Sequence, residues 1–369
     1  MKKYQGLIVL STAVLLAACG NTADNNENNA GNAENNTEVT ENNNAEVNEE
    51  ETNEAADETN EEMENNEGDN ENNESNTEEN AGNEEVDAGE YPITVTDHAG
   101  NEVTIEEEPE SIVTMQPSDT EILFELGAGD RIVGVSDFAN YPEEALEIEQ
   151  VGGQDMDAEM ILSLEPDLAL VSDYHHNNHG EILDQYRDAG IEVFVIENPA
   201  SFDGAFEHIE MLGEITGTEE QAEEIVSGMQ AELDELREQS EEIDEEDRKT
   251  VWIEVAPSPD IFTTGQGTFM HEMLEVIGAE NAAADHEGWV NLTEEEIVTL
   301  EPDTIITTYG FYVDDPVAEV TEREGWSDVP AVENEDIHDV DSDMVSRSGP
   351  RLVDGTRLIA EAVYPDVFQ

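Results

Sequence analysis

Glu159-Met-Ile161-Leu-Ser-Leu164-Glu165-Pro166-Asp167, followed by Leu-Ala-Leu-Val, recurs 136 residues later as Glu295-Glu-Ile297-Val-Thr-Leu300-Glu301-Pro302-Asp303, followed by Thr-Ile-Ile-Thr. In each copy, apolar residues at i and i+3 mark a short helix, the proline ends it, and the apolar run behind it suits a strand buried on both faces. Each copy is half of an αβ crossover, and two copies imply two similar lobes.

Outward from the first copy, residues 111–115, 131–135, 168–171 and 191–196 read as strands, separated by helical stretches such as 119–126 and 181–189. That alternation implies a largely parallel sheet with helices on its faces. Residues 218–247 carry Ala222, Ile225, Val226, Met229, Leu233 and Leu236 among many glutamates, with no glycine or proline after Gly228, and predict one long amphipathic helix. A strand at 250–255 opens the second lobe. The expected fold is α/β: two lobes, each with a central mostly parallel sheet flanked by helices, joined by one long connecting helix. The expected boundaries are an N-terminal lobe at 91–216, the connecting helix at 217–247 and a C-terminal lobe at 248–369. A single helical link predicts limited rather than wide opening.

The N-terminus begins Met1-Lys2-Lys3, runs through an apolar stretch at 7–16 and reaches Leu16-Ala17-Ala18-Cys19-Gly20, the three-part layout of a secretory signal. The apolar stretch falls short of the roughly 20 residues that span hydrocarbon. Cys19 is the single cysteine, which excludes an internal disulfide framework and any multi-cysteine metal site. The string LAAC resembles the lipobox of bacterial lipoproteins, which implies a signal peptide at 1–19 and an acylated Cys19 as the mature N-terminus. Acyl chains contribute about 0.8 kcal/mol per buried methylene, enough to hold a protein at the membrane face without a spanning helix. Residues 20–90 are rich in Asn and Glu, hold 25 acidic side chains and no Lys or Arg, and read as a disordered acidic tether. From Tyr91 onward, 71 acids face 9 bases, a formal charge near −62. Such a field repels nucleic acid and anionic surfaces. It suits an extracellular surface in high salt, where screening over about 3 Å at 1 M tolerates the repulsion; complete folding in dilute buffer would count against that habitat.

Beyond the repeats, ITVTDHAGNEVTI from Ile93, SDTEILFELGAGDRIVGVSDFANYP ending at Pro142, FTTGQGTFMHEMLEVIGAEN ending at Asn281 and VDSDMVSRSGPRLVDGTRLIAEAVYP near the C-terminus carry a resemblance. Together they resemble the solute-binding proteins for cobalamin and ferric siderophores, the helical-backbone class of periplasmic-type binding proteins, over essentially all of residues 91–368. The resemblance implies a monomer with no cofactor of its own. It implies lipid anchoring at the extracellular face of the cell membrane and partnership with an ABC permease dimer and its ATPase. It also implies a cobalt- or iron-containing chelate, cobalamin or a ferric siderophore, bound between the lobes. In that class a glutamate on each lobe meets an arginine pocket on the transporter, and the matching positions are Glu159 and Glu295. Both also sit behind possible caps, Asp157 and Thr293, where an acidic residue is favoured by roughly 0.3–1 kcal/mol in its own right.

A chelate of that size needs flat aromatic surface and a few polar groups. Loops at strand ends offer Phe138 and Tyr141 after 131–135, Tyr174 after 168–171, Trp289 ahead of the second repeat, and Met344 with Arg347 after 337–340. Phe138, Trp289 and Met344 match positions where cobalamin proteins of the class present aromatics; Met344 replaces one such ring, and Gly153-Gln154 stands where another would be. Arg347 could pair with a phosphate, a carboxylate or a catecholate oxygen, or with one of the abundant acids, and Arg351 reads as a structural member. His175, His176 and His179 fall in a polar loop at the cleft rim that could hold zinc or copper. The alternative function is therefore binding of haem or of a free transition metal such as zinc or manganese; no metal ligand is assigned. A tethered α/β enzyme is the third reading. The chain has no Gly-x-Ser-x-Gly elbow, no phosphate-loop Lys-Ser/Thr and no cysteine nucleophile, so no catalytic residue is assigned.

Overall fold

The computed structural model of the chain describes residues 91–368. The signal, Cys19 and the tether expected at 1–90 lie outside the described residues.

A hairpin of β1 (Ile93–Thr96) and β2 (Glu102–Ile105) precedes the first lobe and packs against its edge. That lobe runs β3 (Ile112–Thr114), α1 (Pro117–Glu125), β4 (Ile132–Val135), β5 (Glu149–Gln150), α2 (Ala158–Leu164), β6 (Leu168–Ser172), α3 (Asp173–Asn178), α4 (Gly180–Asp188) and β7 (Glu192–Ile196). Its five strands are all parallel, in the order β5-β4-β3-β6-β7. Two helices, α5 (Phe202–Thr216) and α6 (Glu219–Ser240), lead to the second lobe. There β8 (Thr250–Glu254), β9 (Phe262–Thr264), α7 (Phe269–Val276), β10 (Glu280–Asn281), β11 (Trp289–Asn291), α8 (Glu294–Leu300), β12 (Thr304–Thr307), α9 (Pro316–Thr321), α10 (Pro330–Glu333), β13 (Ile337–Asp339), α11 (Ser342–Ser346) and α12 (Leu352–Val363) follow. Four strands form a parallel sheet in the order β10-β8-β12-β13, and β9 pairs with β11 in a separate antiparallel ribbon. The expected two-lobed α/β fold is the observed one.

The two repeats fold alike, and their sequences say why. Asp157 caps α2 by accepting from the Met160 amide, and Thr293 caps α8 in a reciprocal box with Glu296. Each helix stops on a glutamate in the left-handed region, Glu165 at φ 49° and Glu301 at φ 47°, and a proline then forbids continuation. The aspartate that closes each copy ties the following strand to the central one. Asp167 accepts from the Ser111 amide at 2.9 Å, just ahead of β3, and Asp303 accepts from the Thr250 amide at 2.9 Å, at the start of β8.

One apolar core runs continuously from β3, β4 and β6 through α5 and α6 to β8, α7 and α12, while the far face of each lobe has its own smaller cluster. The connecting helix ends at Ser240 rather than running on to 247. The Ser240 hydroxyl bonds back to the Arg237 carbonyl at 2.8 Å, and Ile243 turns into the core instead of extending the apolar stripe. Among the described residues no helix is long and apolar enough to cross a membrane.

Candidate functional site

In the first sheet the chain steps from β3 to β4 and β5 on one side, then returns to lay β6 and β7 on the other. The loops after β3 and β6 therefore diverge, and the crevice between them at the carboxyl ends of the strands is where open α/β sheets bind ligands. A cavity of about 300 Å³ occupies that crevice, walled by Gln116, Ser136, Phe138, Gly153, Tyr174 and His175, with Arg347 reaching in from the other lobe. A second cavity, about 650 Å³, shares Phe138 and Arg347 and continues along the loops after β12 and β13 past Phe311, Asp339, Asp341 and Asp343. The two form one cleft whose walls come from both lobes.

Two phenyl rings stand in it with little cover: Phe138 is 62% exposed and Phe311 77%. Phe138 lies over Gly153, where an added Cβ would stand 2.7 Å from the ring edge, so the glycine makes room for the ring. Phe311 packs edge-on to Tyr312, centroids 4.6 Å apart. Their loop is anchored from below. Asp339 accepts from the Thr307 hydroxyl at 2.7 Å and the Gly310 amide at 3.2 Å, and the buried Tyr309 hydroxyl lies 2.8 Å from Glu254. Glu254, at the end of β8, is fully buried, paired with Arg323 and bonded by the Trp252 indole at 3.1 Å. Burial, with Glu254 beside it, holds the Tyr309 phenol protonated far above its ordinary range.

A cluster of charges closes the lobes on one another. Glu121 of α1, buried, accepts two bonds from Arg351 at 2.8 and 2.7 Å and a third from Arg347 at 2.7 Å. Arg347 also donates to the Asn140 side chain and the Phe138 carbonyl and pairs with Asp343, while Asn140 bonds Asp343 at 2.9 Å. Arg351 lies 3.9 Å above the Tyr141 ring. Tyr141 thus packs against the clamp, and the Arg347 guanidinium is held by protein groups.

The histidine stretch forms the helix α3 rather than a loop. Ser172 caps it, and His175 completes the cap by accepting the Ser172 amide at Nδ1 (3.2 Å) while its Nε2 lies 3.0 Å from the Gly153 carbonyl. Both ring nitrogens are engaged, and burial, the largest cause, lowers the His175 pKa. Among the described residues no three His, Cys, Asp or Glu side chains converge as a metal site.

Over residues 112–344 the chain matches the family described as periplasmic binding protein. The chain belongs to that family. A Bacillus subtilis protein named uncharacterized ABC transporter substrate-binding lipoprotein YvrC is 43% identical over 76% of this chain and 88% of its own length. A Halobacterium salinarum protein named cobalamin-binding protein is 31% identical over 59% of this chain and 58% of its own length. A Staphylococcus epidermidis crystal structure, described as a possible iron-binding periplasmic solute-binding protein, superposes with a TM-score of 0.63 at 32% identity, covering 70% of this chain and all of that one.

On this periplasmic binding protein scaffold, Glu159 and Glu295 hold equivalent places, exposed in the first turns of α2 and α8. Phe138, Tyr174 and Arg347 line the cleft. Trp289, half-exposed on β11, and Met344, half-buried on α11, line neither cavity. Phe311 and Tyr312 were not singled out from the sequence. Their signal was present in TYGFYVDD, three aromatics directly behind the strand of the second repeat.

Proposed function

We propose that this chain is the lipid-anchored, extracellular binding component of an ABC importer, and that it captures a bulky cobalt or iron chelate of the corrin or ferric siderophore class. The observation that carries the reading is the pair of exposed phenyl rings, Phe138 from one lobe and Phe311 from the other, on one cleft at the carboxyl ends of both sheets. Flat apolar surface of this kind covers the face of a macrocycle or chelate, while the polar wall around Gln116 and Ser136 meets its amide groups. The Bacillus protein's name supports the transporter and lipoprotein parts of this reading, and the Halobacterium name, cobalamin-binding, with the Staphylococcus description, possible iron-binding, supports the chelate.

In this reading Phe138, Tyr174 and Phe311 touch the ligand. Tyr141 and Arg347 hold the wall, and Glu159 with Glu295 meets the permease. The continuous core across α5, α6 and α12 supports capture by a small closure. The dense acidity supports a setting of high ionic strength, and the folded fraction is then expected to rise with added salt.

The test is equilibrium binding of cyanocobalamin, a ferric hydroxamate, a ferric catecholate and haemin to the full chain by calorimetry. Saturable binding of cyanocobalamin or one of the ferric siderophores at micromolar or better concentration is expected; binding of haemin alone would refute the chelate class, and binding of none the cleft reading.

A further inference from the structure

Among the nine basic residues from Tyr91 onward, Arg347 alone lines the cleft. Its guanidinium is committed to Glu121, Asn140, the Phe138 carbonyl and Asp343, and Arg351 behind it is committed to the same Glu121. Two guanidiniums against two carboxylates leave no net positive charge for a ligand.

What remains on the walls is negative. Asp137, Asp339 and Asp341 line the larger cavity and Asp173 the smaller. Three of them accept from neutral donors: Asp137 from the Gly152 amide, Asp341 from the Asp343 amide, and Asp339 from the Thr307 hydroxyl and the Gly310 amide. Between these carboxylates stand the faces of Phe138 and Phe311, which attract a cation through the ring quadrupole. One further group points the same way. Gln116, a wall residue only 6% exposed, has a buried Nε2 with no hydrogen-bond partner, a donor suited to the neutral oxygen of an amide or hydroxamate.

Resting on the proposed cleft reading, we infer that Asp137, Asp341 and the committed Arg347 make the site select chelates that are neutral or cationic and rich in amide or hydroxamate oxygens, and reject anionic ones. A ferric tris-catecholate or a haem dicarboxylate would bring negative charge among unpaired carboxylates, with no cation free to answer it.

The experiment measures dissociation constants of the full chain, at low and high salt, for cationic ferrioxamine B, neutral cyanocobalamin, anionic ferric enterobactin and haemin. The better of the first two is expected to bind at least about tenfold tighter than either anion, with a preference that narrows as salt rises. In Asp137→Asn/Asp341→Asn, which keeps both acceptor oxygens, ferrioxamine B weakens several-fold relative to cyanocobalamin and the anions gain. Glu220→Gln/Glu223→Gln/Glu224→Gln, on the exposed face of α6, leaves the ratios unchanged. An anionic chelate binding tightest to the unaltered chain would overturn the charge selection and leave the cleft reading standing. Equal ratio changes in the two variants would also overturn it, since the effect would then belong to the whole molecule. Failure of all four probes to bind would remove the cleft reading and this inference with it.

Discussion

Glu121 and Arg351 meet across the two lobes in a two-pronged ion pair, 2.8 and 2.7 Å, with the carboxylate buried at the end of its helix turn and Arg347 closing on the same oxygen. Removing one member of a buried pair strands the other charge, which costs about 3–5 kcal/mol. Glu121→Ala is therefore expected to lower stability by about that amount and the melting midpoint by roughly 10 °C. Urea unfolding checks it; a change below about 1 kcal/mol would show that the clamp is incidental.

His175 makes the domain sensitive to acid. Burial lowers its pKa from the ordinary 6.5, against the opposing pull of the Gly153 carbonyl. The unfolded chain takes up this proton near 6.5 while the folded chain resists, so the contribution is present above 6.5 and is lost as pH falls through 6.5 towards the folded value. His175→Gln is expected to flatten that part of the stability curve. An NMR titration placing the ring at or above 6.5 would contradict this.

Glu159 and Glu295, exposed and not part of the cleft walls, are expected to act on the permease alone. Glu159→Ala/Glu295→Ala should abolish ligand uptake by cells while leaving the dissociation constant within about twofold. Each substitution costs only about 0.3–1 kcal/mol of helix-terminus stabilisation. A loss of affinity matching the loss of uptake would refute the division of roles.

The fold was legible because its signals are local. A cap just ahead of each nine-residue repeat, the proline that ends its helix and the apolar run behind it mark helix and strand, and their alternation along the chain implied a parallel sheet without giving its strand order. The site was legible only in part. Phe138 and Tyr174 follow their strands directly, so the rule about carboxyl ends found them. Arg347 was found as a residue but not as a pair, because its partner lies 226 positions away and is one acid among 71. Phe311 stands behind the strand of the second repeat, but the contact that turns its loop into the cleft, the Gly310 amide bonded to Asp339, is made only in three dimensions. The histidines read as a loop because a cap completed by histidine at the third position is not the usual Glu or Gln pattern.

Cleft binding rests most directly on the two uncovered rings. With a chelate identified, its dissociation constant should be measured for Phe138→Ala/Phe311→Ala beside the unaltered chain. Aromatic contacts add about 0.5–1.5 kcal/mol each beyond area burial, so affinity is expected to fall about tenfold or more. Because both side chains are exposed, unfolding should stay within about 0.5 kcal/mol. Unchanged affinity in the folded double variant would contradict the account and move the ligand away from this cleft.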